Sequence, residues 1–225
     1  MRVFYKEILL SVLFFNLAAF AQESTTSTTS SKRNIRLNLY GAYVFDDQFE
    51  AHSNNGKYYN GTLKGGFQGG IGIDLQAGPN KHIELLYLRQ QTDAPIHFYN
   101  NLTTRDVNAD VTVSYVMLGG ANSFRKPGSN VEGFGGLMLG VGIVDVDSDV
   151  GSGSSTKFAW GLRGGAIIWA SEKIGIKLQG QLLSISQAVG GGFYFGTGGV
   201  STGVSSYSSI YQFTVGGGLV FALGK

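Results

Sequence analysis

The sequence predicts an all-β fold, an eight-stranded antiparallel up-and-down barrel, and three observations lead to it. Apolar and polar residues alternate with a period of two in eight segments between Ile35 and Leu223, which is the pattern of strands with two unlike faces. Glycine accounts for 35 of the 225 residues, roughly twice the usual share of about 7%. Charged residues make up only 14%, below the average of about 25% in ordinary domains. Long and short connections also alternate strictly along the chain, as in a meander of hairpins.

The first 34 residues are expected to lie outside the barrel. Arg2 and Lys6 precede an apolar run over 8–20, and Ala19-Phe20-Ala21 has the form of a cleavage site, so residues 1–21 are predicted to be a secretory signal peptide. The apolar run is shorter than the ~20 residues that a spanning helix needs. Residues 22–34 are rich in Ser and Thr without an apolar period and are predicted to be a flexible leader. The barrel is assigned to 35–225.

Eight strands follow, and their connections fall into two classes. The predicted strands are 35–45, 63–77, 82–92, 109–121, 131–144, 157–170, 174–187 and 207–223. Long polar loops are expected at 46–62, 93–108, 145–156 and 188–206, and short turns at 78–81, 123–130 and 171–173. In a meander, this order places every long loop at one end of the barrel and every short turn at the other.

The two faces of the strands indicate what surrounds the barrel. On strand 109–121, for example, we assign Val111, Val113, Tyr115 and Met117 to the apolar register. The polar register carries much of the glycine and nine charges: Arg36, Lys64, Asp74, Glu84, Asp110, Glu132, Lys157, Arg163 and Lys177. Nine charges are too few for a water-exposed surface, so the prediction is a transmembrane barrel with its apolar face toward lipid. A soluble lipocalin-like barrel that binds an apolar ligand is the alternative.

Five of these nine inward charges are basic and four are acidic. Because buried charges are tolerated when they are paired, this near-balance predicts an ion-paired network that plugs the lumen. A narrow ion pathway is the other interpretation.

Aromatic residues on the apolar register cluster toward the long-loop end of their strands, as an interfacial girdle would. The predicted aromatic girdle consists of Tyr43, Phe45, Phe67, Tyr115, Phe158, Trp160, Tyr211 and Phe213.

Sites for chemistry are sparse in this sequence. The chain has no cysteine and a formal net charge of +2, which argue against thiolate chemistry and a nucleic-acid partner. The three histidines lack metal-site spacing, so no catalytic, cofactor or metal site is predicted. Asp145, Asp147 and Asp149 are interpreted as a solvated acidic loop, and 190–203 as a mobile external loop with an aromatic tip.

Two glycine-rich segments carry a family resemblance: Phe134-Gly135-Gly136-Leu137-Met138-Leu139-Gly140-Val141-Gly142 and Phe213-Thr214-Val215-Gly216-Gly217-Gly218-Leu219-Val220-Phe221. They resemble the fifth and final strands of the small bacterial outer-membrane β-barrel family, the OmpA/OmpX-like and opacity-protein-like group. The resemblance implies a location in the bacterial outer membrane and contact with its lipids. It also implies that the barrel-assembly machinery recognises the last strand. That machinery usually binds a terminal aromatic residue, whereas the last residues of this sequence are Phe221-Ala222-Leu223-Gly224-Lys225.

The function expected from the resemblance is non-enzymatic: a monomer without a cofactor, whose loops serve adhesion, envelope integrity or contact with an unidentified external ligand. No peptidoglycan-binding domain is expected after the barrel. Because some barrels of this size remodel lipid A, a lipid A deacylase or acyltransferase that uses His52 or His97 with loop serines is the enzymatic alternative.

Overall fold

The computed structural model describes residues 35–52, 58–100, 103–148, 151–186, 192–196, 199–203 and 210–223. The predicted signal peptide and leader lie outside these residues. The described strands are β1 (Ile35–Val44), β2 (Asp47–His52), β3 (Tyr58–Leu63), β4 (Gly66–Gln76), β5 (Lys81–Asn100), β6 (Thr103–Arg125), β7 (Val131–Ser148), β8 (Gly151–Trp169), β9 (Ile174–Ile185), β10 (Gly192–Gly196), β11 (Gly199–Gly203) and β12 (Ile210–Ala222). Among the described residues there is no helix long and apolar enough to cross a membrane.

Eight of these strands close into a barrel: β1, β4, β5, β6, β7, β8, β9 and β12. Each pairs antiparallel with the next barrel strand along the chain, and β12 pairs with β1. The prediction of an eight-stranded antiparallel up-and-down barrel is therefore confirmed.

The register of the paired strands determines how much the strands tilt and how far they rise along the barrel axis. Residue pairs followed around the barrel from Ile35 through Ile83 and Leu162 lead to Phe213, whose carbonyl accepts the N–H of Phe45 at 3.0 Å. The path returns to β1 ten residues beyond its start, from position 35 to position 45. Over eight strands this offset corresponds to a tilt of about 40°, so these ten residues rise about 25 Å along the axis.

One end of the barrel is closed by short turns. They occupy 77–80, 126–130 and 170–173, close to the predicted positions. In the second turn, Ser129 N donates to the Lys126 carbonyl at 3.0 Å and Gly128 has a φ of 78°. With Pro127 before it, this is a type II turn, whose third position requires the positive φ that glycine adopts without strain.

The four predicted long loops are wrong in part, because most of their described residues form β-sheet. β5 and β6 pair without interruption from Lys81 and Asn122 to Asn100 and Thr103, and β7 and β8 pair as far as Ser148 and Gly151. The loop after β1 contains the β2–β3 hairpin, which joins β5, and the last loop contains the β10–β11 hairpin. Polar residues and glycines are frequent in these segments, so the strands there resemble loops in sequence although their ladders continue.

The two faces lie as predicted on seven of the eight barrel strands. The apolar register is exposed and the polar register is buried, as Leu85 at 56% and Glu84 at 1% exposure show on β5. On β6 the assignment is wrong: Val111, Val113, Tyr115 and Met117 are buried. The physical reason is that the long-loop half of the lumen is itself apolar, so the inward side of β6 is apolar too.

Candidate functional site: the barrel lumen

The middle of the lumen is organised around the buried Glu84 carboxylate. Its oxygens accept hydrogen bonds from Asn38 Nδ2 at 2.7 Å and from the Tyr40 hydroxyl at 2.5 Å, and they form an ion pair with Arg163. Lys177 Nζ donates to the Tyr40 hydroxyl at 2.9 Å. One acidic side chain on β5 thus contacts β1 and β8 directly and is linked through Tyr40 to Lys177 on β9.

A glycine on the inner register provides the room for this cluster. A Cβ atom at Gly72 would overlap the carboxylate of Glu84 and lie 3.2 Å from the ring of Tyr40. Any larger residue at position 72 would therefore displace the central acid. This explains part of the unusual glycine content in terms of lumen filling.

A second ion pair lies toward the short-turn end. Arg36 Nη1 donates to Glu132 Oε1 at 2.8 Å, and Trp169 Nε1 donates to Glu132 Oε2 at 2.9 Å. The Arg36 guanidinium also lies 5.2 Å from the centre of the Trp169 ring. A buried carboxylate with two donors and a stacked guanidinium is the satisfied arrangement that an interior ion pair requires.

His82 completes a third polar group, which the sequence did not reveal. Its Nδ1 lies 3.1 Å from Asp74 Oδ1 and its Nε2 lies 3.2 Å from Ser123 Oγ. The order acid, imidazole, hydroxyl is that of a nucleophile with its base. However, the backbone N–H of Ser123 donates to the Asn80 carbonyl at 2.8 Å and is unavailable as an oxyanion donor at this serine. The one signal that could have indicated the contact between His82 and Asp74 is the first turn, which pairs Gln76 with His82.

Above the charged clusters the lumen holds amides and then apolar side chains. Tyr115 donates to Gln212 at 2.8 Å, Gln212 to Gln90 at 2.9 Å, and Gln181 to Gln68 at 3.1 Å. Buried apolar side chains pack beside this layer and beyond it: Leu86, Leu88, Val111, Val113, Val144, Val146, Leu183 and Ile185. The described lumen is therefore occupied by side chains from its short-turn mouth to its long-loop end.

Seven of the nine charges predicted to face the lumen are buried or nearly so: Arg36, Asp74, Glu84, Glu132, Lys157, Arg163 and Lys177. The other two, Lys64 and Asp110, are exposed at the long-loop end, and the prediction is wrong for them. Lys64 lies in the link between β3 and β4, outside the alternating pattern. Asp110 lies on the outward side of β6, above the apolar surface, where it meets water.

The aromatic girdle residues Tyr43, Phe45, Phe67, Phe158, Tyr211 and Phe213 are exposed on the outside, and Trp160 is half-buried there. Phe45 stacks on Phe213 with centroids 5.6 Å apart. Tyr115 was wrongly assigned to this set, because its ring lies inside the barrel with its hydroxyl on Gln212.

The remaining sequence motifs are only partly described. His52 lies in β2 and His97 in β5, and their side chains lie outside the described set. Asp145 and Asp147 are exposed on β7, and Asp149 lies outside the described residues. Phe193, Tyr194 and Phe195 belong to β10, and most of the segment 190–203 forms the β10–β11 hairpin.

The closed barrel, its apolar exterior and its filled polar lumen define a β-barrel of the outer-membrane type. Neisserial surface protein A has a similar solved structure, with a TM-score of 0.55 and 12% identity over 83% of this chain and 96% of that one. OprG from Pseudomonas aeruginosa matches with a TM-score of 0.52 and 13% identity over 85% and 93%. The outer membrane protease OmpT from Escherichia coli matches with a TM-score of 0.50 and 9% identity over 89% and 100%.

No protein-family model and no curated protein sequence matches this chain. At identities of 9–13% the similarity to the solved structures is one of fold. The chain therefore has the fold of small bacterial outer-membrane β-barrels.

Proposed function

We propose that this protein is a non-enzymatic barrel of the bacterial outer membrane with a closed lumen and a surface-interaction role. The observation that carries the proposal is the reversal of the usual burial pattern. Leu39, Leu118 and Leu139 are 41%, 60% and 58% exposed, while Glu84, Arg163 and Lys177 are buried. In water this arrangement would leave a continuous apolar surface uncovered, whereas a lipid bilayer covers it.

The dimensions of the apolar surface support the same proposal. The rise of about 25 Å from Ile35 to Phe45 equals the height of the apolar band of membrane barrels, about 25 Å. Exposed aromatic residues occupy its upper edge at Phe45, Phe67 and Phe213, and Phe124 is exposed at the short-turn end.

The surface role rests on the sheet that rises above the girdle. β5, β6, β7 and β8 extend beyond the apolar surface as paired strands, and β3 adds to β5. The described outward side chains of this wall include the exposed Asp93, Asp110, Asp145 and Asp147, and a polar wall of paired strands favours adhesion, envelope integrity or another contact function over catalysis. The polar groups of the lumen support the non-enzymatic assignment, because Glu84, Glu132 and His82 are each engaged in contacts that connect strands.

Fractionation of cells that produce the full chain tests this proposal. We expect the mature protein in the outer-membrane fraction, extractable only with detergent, and migrating faster on gels before boiling than after it. Recovery from the soluble periplasm without detergent would instead support the soluble lipocalin-like alternative.

A further inference from the structure

The upper edge of the apolar surface is not aromatic all the way around. β12, β1 and β4 carry Phe213, Phe45 and Phe67 there. Arg89 on β5 lies six residues above Ile83, which pairs with Leu75 beside Ile35. With the tilt derived above, Arg89 lies about 20 Å above Ile35, the level of the aromatic girdle.

Arg89 is unusual among the outward-facing residues. Between Lys81 at the lower edge and the strands above the girdle, it is the one charged side chain that faces outward on the described barrel strands. A charge on the lipid face costs about 2–4 kcal/mol at the midplane but about 0–1 near an interface. Arg89 is therefore placed where its guanidinium reaches the headgroups while its stem stays in the apolar layer.

A hollow of about 470 Å³ lies directly above Arg89. Its lining includes Gln91, two residues beyond Arg89 on the same outward face, and is mostly hydrophilic: Lys64, Thr92, Asp93, Asp110 and Thr112, with Gly65 and Val111. In the part of the chain that the structure describes, the side chains of Arg89, Lys64 and Asp110 form no ion pair or hydrogen bond. The hollow, together with Arg89 below it, thus combines two uncommitted cations with carboxylate, amide and hydroxyl groups at headgroup height.

These groups match one class of ligand. Arginine and lysine bind phosphate oxygens by charge-assisted hydrogen bonds, and aspartate and glutamine accept hydrogen bonds from sugar hydroxyls. We propose that Arg89 and this hollow form a site for the phosphorylated sugar headgroup of an outer-leaflet glycolipid. Arg89 and Lys64 would bind its phosphate, and Asp93 and Asp110 its hydroxyls. The inference rests on the membrane orientation given under Proposed function.

The test is binding of lipid A to the purified full chain in detergent, measured by native mass spectrometry. Variants R89Q, K64Q and the double variant are compared with K81Q, a matched control that removes an outward charge at the opposite edge. We expect each single variant to bind lipid A about tenfold more weakly and the double variant about a hundredfold more weakly, since each lost contact is a hydrogen bond to a charged group. K81Q should bind as the wild type does, and phosphatidylglycerol or inorganic phosphate should compete poorly.

Undiminished lipid A binding by the double variant, or an equal loss in K81Q, would overturn the inference. Equal binding of phosphatidylglycerol would reduce the site to a general anion contact and would also contradict it. Heat-modifiable migration of each variant reports insertion separately, so failure of the outer-membrane proposal is distinguishable from failure of the lipid site. If the double variant does not insert into the membrane, lipid A binding by the single variants R89Q and K64Q decides the test.

Discussion

At the scale of single residues, Glu84 determines the organisation of the lumen. Its carboxylate contacts three side chains from two other strands, β1 and β8, and two cations, Arg163 and Lys177, lie buried nearby. Removing one member of a buried ion pair is costly because it leaves an uncompensated charge.

We expect E84A to lower the free energy of unfolding by about 3–5 kcal/mol, measured by urea unfolding of the protein in lipid vesicles. The matched control is E172A, because Glu172 is exposed in the turn between β8 and β9 and its removal should change stability by less than about 0.5 kcal/mol. Equal effects of the two substitutions would show that Glu84 is not a central acid.

Residue identities alone predicted most of the lumenal charges but not their partners. Alternation assigns Asp74, Glu84 and Lys177 each to the polar face of its own strand, because position parity suffices for that. It does not show that Glu84 meets Arg163, since this contact crosses the barrel and depends on the register of several strands. His82 was missed for the same reason: its partner Asp74 lies on the preceding strand, and their contact depends on the turn between them.

At the scale of whole elements, β6 shows the limit of reading one strand by its pattern. Its odd positions are apolar, but Val116 and Leu118 at even positions are apolar as well, so the pattern of the strand does not determine its outward face. The pairing of Leu118 with Leu139 and of Tyr115 with Gly142 on β7 fixes the orientation. Pairing across strands is set by the closed barrel and is invisible in the sequence of β6 itself.

The long-loop hairpins illustrate the same limit from the opposite side. The sequence correctly places long connections at one end of the barrel, because the short turns at the other end contain recognisable turn residues such as Pro127 and Gly128. It does not reveal that 103–108 continues β6, since above the apolar surface both faces of a strand can be polar. The backbone ladder, which the side-chain pattern does not record, keeps these residues in the sheet.

At the scale of the whole molecule, the filled lumen predicts the absence of a pore. Eight strands leave an interior that side chains can fill, and ion-paired, amide and apolar side chains occupy it. We therefore expect no steady conductance steps from the purified protein in planar bilayers. Steady steps that K177Q alters, but that the outward substitution K81Q does not, would show that the polar lumen conducts ions.

We propose that the apolar register faces lipid while the polar register and the inward side of β6 face the lumen. The chain contains no cysteine, so single cysteine variants accept one spin label each. The informative pairs are adjacent residues on two strands: Leu118 and Met117, which are 60% and 1% exposed, and Leu139 and Met138, which are 58% and 1% exposed.

The measurement is collision of the label with oxygen, which dissolves in lipid, in barrels that keep their heat-modifiable migration. We predict high oxygen accessibility for L118C and L139C and low accessibility for M117C and M138C. The reverse order, or high accessibility of all four labels to a water-soluble nickel complex, would contradict a barrel with its apolar face in the membrane.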